Sequence, residues 1–395
     1  MASRRLRLIT TATATLVVAT VAAIVSWRYL FRSPAEPMVD LHVYERAGDA
    51  VRHGRDVYEN VDTRLLFTYP PFAAMVAAVV APFTGWTGQF LWTLATVAAS
   101  VGVVYLSFRV LVDRCPAPWR PLALGALVAV ALATHPFVEH VFYGQVNVFL
   151  VLLCLVDLLV VGGRRWQGAL VGIATALKLT PGVFGIHLWL TGRRRAALVA
   201  LASFAACTAL AFVVVPSSSI DFWTREIYEG QRVAGSVTYT SNQSLLGLVA
   251  RLVPDGSAAP VWLAAAGVLA IVGFVRARDA HAAGDVLGGI AITALLAVLL
   301  SPIAWIHHFV WFVPVLGALV ADGRDRRRVV GAGAITALLL LRLPWWGWSL
   351  LDEGPLLAPI GILFHNAYAL LAVGLVLAYP IRVGAPARAE MAAVS

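Results

Sequence analysis

Long apolar runs recur from Leu6 to Ile381, separated by short clusters of arginine. A run of about 20 apolar residues crosses the hydrocarbon of a bilayer, roughly 30 Å thick, and without water it satisfies its backbone only as a helix. The pattern therefore predicts an all-α, polytopic membrane protein. Composition agrees: of 395 residues, 60% are hydrophobic and only 13% charged, with mean hydropathy +0.81, whereas soluble domains carry about a quarter charged residues.

The formal charge of +9 is nearly all arginine. It falls in clusters at Arg4/Arg5/Arg7, Arg109/Arg114/Arg120, Arg164/Arg165, Arg193/Arg194/Arg195, Arg276/Arg278, Arg324/Arg326/Arg327/Arg328 and Arg382/Arg388. Such clusters between apolar runs mark cytoplasmic loops, which argues against a nucleic-acid partner. About twelve spans fit between them at the usual length, giving one transmembrane domain over 1–395. Its external segments include 32–87, with amphipathic and interfacial helices, and a loop at 216–258.

The basic, apolar N-terminus runs on into Trp27, Tyr29 and Phe31, as an uncleaved first span does rather than a cleaved leader. After it, 41–53 shows the apolar stripe of an interfacial helix, closed by Gly54. The apolar stretch 69–83 is too short to cross and is expected at the outer interface. The runs 166–178 and 181–190 form a hairpin whose "KLTP" break carries Lys178, the single lysine of the chain. A lysine within a membrane domain needs water or an anion, which makes it a functional candidate. Cys115, Cys154 and Cys207 have neither metal-ligand spacing nor a disulfide framework and read as packing residues.

In this topology Asp40, His42, Glu139, His140, Gln145, Asn147, Lys178, Asn242, Gln243, His307, His308, His365 and Asn366 all reach the same outward side. A carrier places polar groups near the midplane, at helices related by an internal repeat. The sequence shows no repeat, so the one-sided cluster favours an enzyme working at the outer surface. Asp40 has two readings: the N-cap of the helix that follows, or a general base at the water–lipid boundary. His307 and His308 follow a Pro302 break and either satisfy each other's surroundings or hydrogen-bond a substrate. Trp305 and Trp311 beside them read as interfacial anchors. His135, Glu139 and His140 lack a partner motif for a metal, and Gln145 and Asn147 suit hydrogen bonds to a sugar. No phosphate-binding loop and no GxSxG motif occurs. Neither a metal nor another cofactor is expected.

Seven stretches appear in order: "DLHVY" at 40–44, G-x-x-x-Y at Gly54–Tyr58, "FTYPPF" at 67–72, "GQVN" at 144–147, "LKLTP" at 177–181, "SNQS" at 241–244 and "SPIAWIHH" at 301–308. Together they resemble the GT-C glycosyltransferases, specifically glycosyltransferase family 87, the polyprenyl-phosphate-mannose-dependent α-1,2-mannosyltransferases of mycobacteria and relatives. Within it the chain is most similar to members that extend phosphatidylinositol mannosides. The resemblance implies a multi-pass plasma-membrane enzyme with its site on the external, periplasmic face. Its partners would be a polyprenyl-phosphate-mannose donor, a glycolipid acceptor and the surrounding membrane lipids. It also implies an inverting transfer with Asp40 as base; the charge of the donor phosphate needs preorganised partners, for which Lys178 and one of His307 or His308 are the candidates. Tyr69, with Pro70 and Pro71, would shape the cavity. Gln145, Asn147, Asn242 and Gln243 would orient sugars or acceptor; the 216–258 loop, with Trp223, Arg225 and Arg232, either covers a headgroup or carries its arginines as ordinary solvated charges. The alternative is a lipid-linked sugar flippase or transporter, which moves its substrate without forming a glycosidic bond.

Overall fold

The computed structural model describes residues 2–30, 38–59, 66–228, 236–253 and 257–382. Among them the regular structure is helical, apart from one isolated antiparallel bridge between Asn242 and Trp305. Arg4–Trp27, Gly85–Arg114, Arg194–Val214 and Ala258–Ala282 are each long and apolar enough to cross a membrane. Three further pairs qualify only when each is joined across its bend: Ala117–Ala133 with His135–Tyr143 (73°), Arg326–Leu340 with Leu343–Leu351 (58°), and Ala358–His365 with Ala367–Ala378 (64°). Among the described residues, length and composition thus give four spans, or up to seven with the bent pairs. That supports a polytopic membrane protein without reaching the expected count of about twelve, because several predicted spans are broken or too short. The hairpin 166–178/181–190 is the clearest case, resolving into Ala169–Leu177 and Val183–Leu190 around the predicted break.

The chain divides into two compact units. The first comprises 29–98 and 141–236, and the second 1–28, 99–140 and 237–395. The predicted 216–258 loop is therefore shared, with 216–236 in one unit and 237–258 in the other. Arg232, Arg388 and parts of the 32–87 loop (32–37 and 60–65) lie outside the described residues.

In the first unit the amphipathic helix is Val39–Arg52, followed by Gly54 at φ +63. It buries Leu41, Val43, Tyr44, Ala47 and Ala50 against Tyr58, Phe67, Ala74 and Ala77. The apolar stretch at 69–83 is the Pro71–Val80 helix, opened by a proline where the missing N–H costs nothing. The two helices touch at Gly48, where a Cβ would stand 2.4 Å from the carbonyl oxygen of Ala77. An alanine there would push the helices apart.

Asn147–Leu155 continues into a short π-turn, Val156–Val160, whose Asp157 is fully buried. Its carboxylate accepts from the N–H groups of Gly168 (2.6 Å), Leu170 (2.7 Å) and Val171 (3.0 Å). It thereby caps Ala169–Leu177, satisfying donors that the first turn of a helix otherwise leaves open. The far end of that helix delivers Lys178. In the second unit the largely apolar, buried Val286–Leu299 helix is enclosed by Ala258–Ala282, Phe312–Val320 and Ala367–Ala378. Asp285 caps it by accepting from the Gly288 N–H at 3.1 Å and also takes the Arg382 guanidinium at 3.1 Å.

Candidate functional site

Met38 precedes the Val39–Arg52 helix with a left-handed backbone, φ 53, and donates its N–H to the carbonyl of Phe142 at 2.8 Å. Asp40 is consequently the second helical residue and not the N-cap. The carboxylate is turned to a side chain instead: Oδ2 accepts a short hydrogen bond from Nε2 of Gln145. Gln145 can reach it because Gly144 turns the chain at φ +69. A Cβ at 144 would stand 2.8 Å from Cβ of Leu41 and 3.0 Å from Cβ of Met38, so the "GQVN" turn requires its glycine twice over.

From Asp40 a continuous polar chain runs to the lysine. Oε1 of Gln145 accepts from Nδ2 of Asn147 at 3.1 Å, and Oδ1 of Asn147 accepts from Nζ of Lys178 at 2.9 Å. The hydroxyls of Tyr44 and Tyr69 bond each other at 3.0 Å and approach Oε1 of Gln145 at 3.4 and 3.5 Å. Nζ of Lys178 also sits 5.3 Å from the centre of the Tyr69 ring, within cation–π range. Tyr58 holds Tyr69 in place by donating to its carbonyl at 2.7 Å.

Burial raises the Asp40 carboxyl to about 6, against the hydrogen bond from Gln145 and the charge of Lys178, which both pull it down. A base with a pKa just under neutral is ionised at pH 7 yet still takes a proton readily. Burial also pushes the Tyr44 and Tyr69 phenols up, so both stay protonated as donors. Beside this cluster opens a cavity of about 400 Å³ with walls that include Leu41, Tyr44, Tyr69, Trp92, Phe149 and Leu177. An acid and a lysine thus stand at the edge of a space suited to hydrocarbon.

Residues 67–302 match the profile of Glycosyltransferase family 87. A Mycolicibacterium smegmatis polyprenol-phosphate-mannose-dependent alpha-(1-2)-phosphatidylinositol pentamannoside mannosyltransferase is 34% identical over 343 residues, covering 84% of this chain and 81% of that protein. The chain belongs to glycosyltransferase family 87. A Mycobacterium tuberculosis polyprenol-phosphate-mannose-dependent alpha-(1-2)-phosphatidylinositol mannoside mannosyltransferase is 30% identical over 363 residues, covering 84% of this chain and 80% of that one. No solved structure matches. Membership makes the chain a glycosyltransferase, and Asp40, Tyr69, Gln145, Asn147 and Lys178 form one cluster in the first unit of this family 87 protein.

His307, His308, Asn242 and Gln243 belong to the second unit. His307 is buried and His308 half-buried, on the 3-10 turn Ile306–Trp311, with ring centres 4.8 Å apart. The sequence reading places Asn242 and Gln243 among substrate-orienting groups, but the structure commits both amides to backbone. Gln243 donates to the carbonyls of Thr240 and His365, each at 2.8 Å, and accepts from the N–H groups of Tyr368 (3.2 Å) and Ala369 (3.3 Å). All four positions of its amide are thereby filled. Asn242 accepts from the N–H groups of Ala304 (3.0 Å) and Ser244 (3.2 Å) and donates to the carbonyl of Val237 (2.8 Å). "SNQS" is a staple that fixes 302–305 and caps the Ala367–Ala378 helix.

His135 and Glu139 pair at 3.0 Å, and the second ring nitrogen of His135 bonds the Tyr368 hydroxyl at 3.0 Å, a network within the protein. Trp223 packs on Phe222 and Phe204, while Arg225 pairs with Glu226 at 3.0 Å. Two contributors escape the sequence reading. Tyr44 reads there as part of an apolar helix face, although its place four residues after Asp40 puts it one turn on. Asp157 stands as a lone acid in an otherwise apolar stretch after "GQVN".

Proposed function

We propose that the protein transfers mannose from polyprenyl-phosphate-mannose to a hydroxyl of a phosphatidylinositol mannoside or related glycolipid, forming an α-1,2 linkage at the outer face of the plasma membrane. The observation that carries this reading is the Asp40–Gln145–Asn147–Lys178 chain standing beside an apolar cavity. Asp40 takes the proton of the acceptor hydroxyl as its oxygen attacks the anomeric carbon. The bond from that carbon to the phosphate oxygen breaks, and polyprenyl phosphate departs with the electron pair from the opposite face, inverting the configuration.

Lys178 meets the charge that develops on the phosphate, and the low-dielectric surroundings strengthen that attraction. The cavity takes the first isoprenyl units of the donor. Gln145 and Asn147 keep acid and base apart by hydrogen-bonding each through an amide. To His307 or His308 we assign a hydrogen bond to substrate, and to 216–258 the cover of the headgroup. The names of the relatives support this choice of donor and acceptor, and the arginine clusters support the external face.

The test is transfer by the purified protein in liposomes, with radiolabelled polyprenyl-phosphate-mannose and a panel of phosphatidylinositol mannosides. A labelled glycolipid that loses its labelled mannose to an α-1,2-mannosidase is the expected product. Donor movement across the bilayer with no new glycosidic bond would replace the transferase reading by transport.

A further inference from the structure

Tyr239 is 47% exposed, yet its backbone is firmly held. Nη1 of Arg251 donates to the carbonyls of Tyr239 (3.2 Å) and Asn242 (2.9 Å), while Nε of the same arginine donates to Asn366 at 2.8 Å. The Asn242 N–H returns to the Tyr239 carbonyl at 2.8 Å. Two tryptophans flank the exposed ring at nearly right angles: Trp305 at 6.1 Å and 78°, and Trp345 at 5.8 Å and 77°. Trp305 is itself tied down by the bridge to Asn242. Trp345 is fixed through its indole N–H, which donates to Oε1 of Glu139 at 3.2 Å. The Glu139 carboxylate is held by His135 at 3.0 Å and by the Ser241 hydroxyl at 3.4 Å.

An interfacial tryptophan keeps its ring in hydrocarbon and its N–H toward the headgroups. Trp345 does the reverse, committing its N–H to a buried acid. What it offers a ligand is its ring. The electron-rich faces of aromatic rings attract the positive edges of C–H bonds, and a pyranose presents such C–H faces between its hydroxyls. Rings already locked in place lose little side-chain freedom on binding. The exposed neighbour Thr238 bears a hydroxyl, as suits a sugar better than an acyl chain.

We propose that Tyr239, Trp305 and Trp345 form a hexose-stacking platform in the second unit, which binds mannosyl residues of a glycolipid headgroup, with Glu139 and Arg251 as positioning residues. The platform follows from the ring geometry, and only the choice of mannose rests on the function proposed above.

Its test needs no turnover. The full-length Asp40→Asn protein in nanodiscs is titrated with α-1,2-mannobiose and, separately, with maltose, and saturation-transfer NMR reports contact with aromatic protons. Mannobiose should bind more tightly than maltose. Tyr239→Ala and Trp345→Ala should each weaken mannobiose by about fivefold, the size of one aromatic contact, and Tyr239→Phe should retain binding. A Glu139→Gln protein that melts normally but binds mannobiose more weakly would support the positioning role.

Unchanged mannobiose binding in both alanine variants would assign the rings to an interfacial belt and overturn the platform. So would failure of mannobiose to bind the parent protein, and equal binding of maltose would overturn the assignment to mannose. The transferase reading fails by a different result, donor movement across the bilayer by the wild-type protein with no new glycosidic bond, so the two are separable.

Discussion

Gln145 and Gln243 carry the same amide, and both are almost wholly buried. Gln145 faces side chains: its N–H reaches Asp40, and its oxygen gathers Asn147, Tyr44 and Tyr69. Gln243 faces backbone alone, with four bonds to Thr240 and to the 365–369 segment. Side chains can turn toward a ligand and exchange partners, whereas backbone groups at a helix start cannot. One glutamine therefore belongs to a site that chemistry can use, and the other to the frame that holds a segment still.

The sharpest way to break that contrast is Asp40→Asn. Asn keeps the size and hydrogen-bonding reach of the side chain but cannot accept the proton, and a general base typically contributes about 10²–10⁴ in rate. Transfer should fall by that factor while insertion and thermal stability stay near wild type. A variant retaining near-normal transfer would remove Asp40 as the base. Lys178→Met should come next, with loss of donor use exceeding any loss of folding. Lys178→Arg should be intermediate, since a planar fork does not replace a compact ammonium beside Asn147 and the Tyr69 ring. A donor titration that superimposes on wild type would take Lys178 out of the site.

The two glutamines themselves give the smaller effects. Gln145→Ala should lower transfer more than it lowers the melting temperature. Gln243→Ala should do the opposite, because buried backbone groups left unpaired cost about 1–3 kcal/mol. Activity per folded molecule should then change little, and equal melting temperatures for the two alanine variants would erase the distinction. Last comes pH. With the Asp40 carboxyl raised to about 6, its proton is lost as pH rises through that value, so transfer should climb across pH 5–7. The Asp40→Asn residual rate should show no such climb, and a wild-type profile flat over the interval would dissociate the base from this carboxyl.

Much of the site was legible because single residues stood out against an apolar background. Lys178 is the one lysine, and Asp40 is an acid that follows closely on a span. Break signals were equally readable: Gly54 ends a helix and "KLTP" separates two. What could not be read was the partner of each polar group. "GQVN" and "SNQS" look alike as neutral motifs, and only tertiary contacts separate their roles. Asp40 sits beside a helix start, yet the residue that occupies the cap is Met38. The number of spans was equally hidden, because hydropathy does not register a bend at 366 or a π-turn at 156.

The sequence by itself determined that the chain is helical and membrane-bound, since apolar length and backbone hydrogen bonding leave a bilayer segment no other form. It also determined which residues were chemically exceptional, because a charge in an apolar run is costly wherever it lands. Only the tertiary structure decided that Gln145 touches Asp40 across 105 positions of chain, that Asn147 bridges to Lys178, and that Gln243 serves the backbone. Those pairings depend on how close two helices approach, which here turns on glycines at 48 and 144 and on one buried carboxylate at 157. Distances of that kind are set by packing between elements remote in sequence, and no local pattern encodes them.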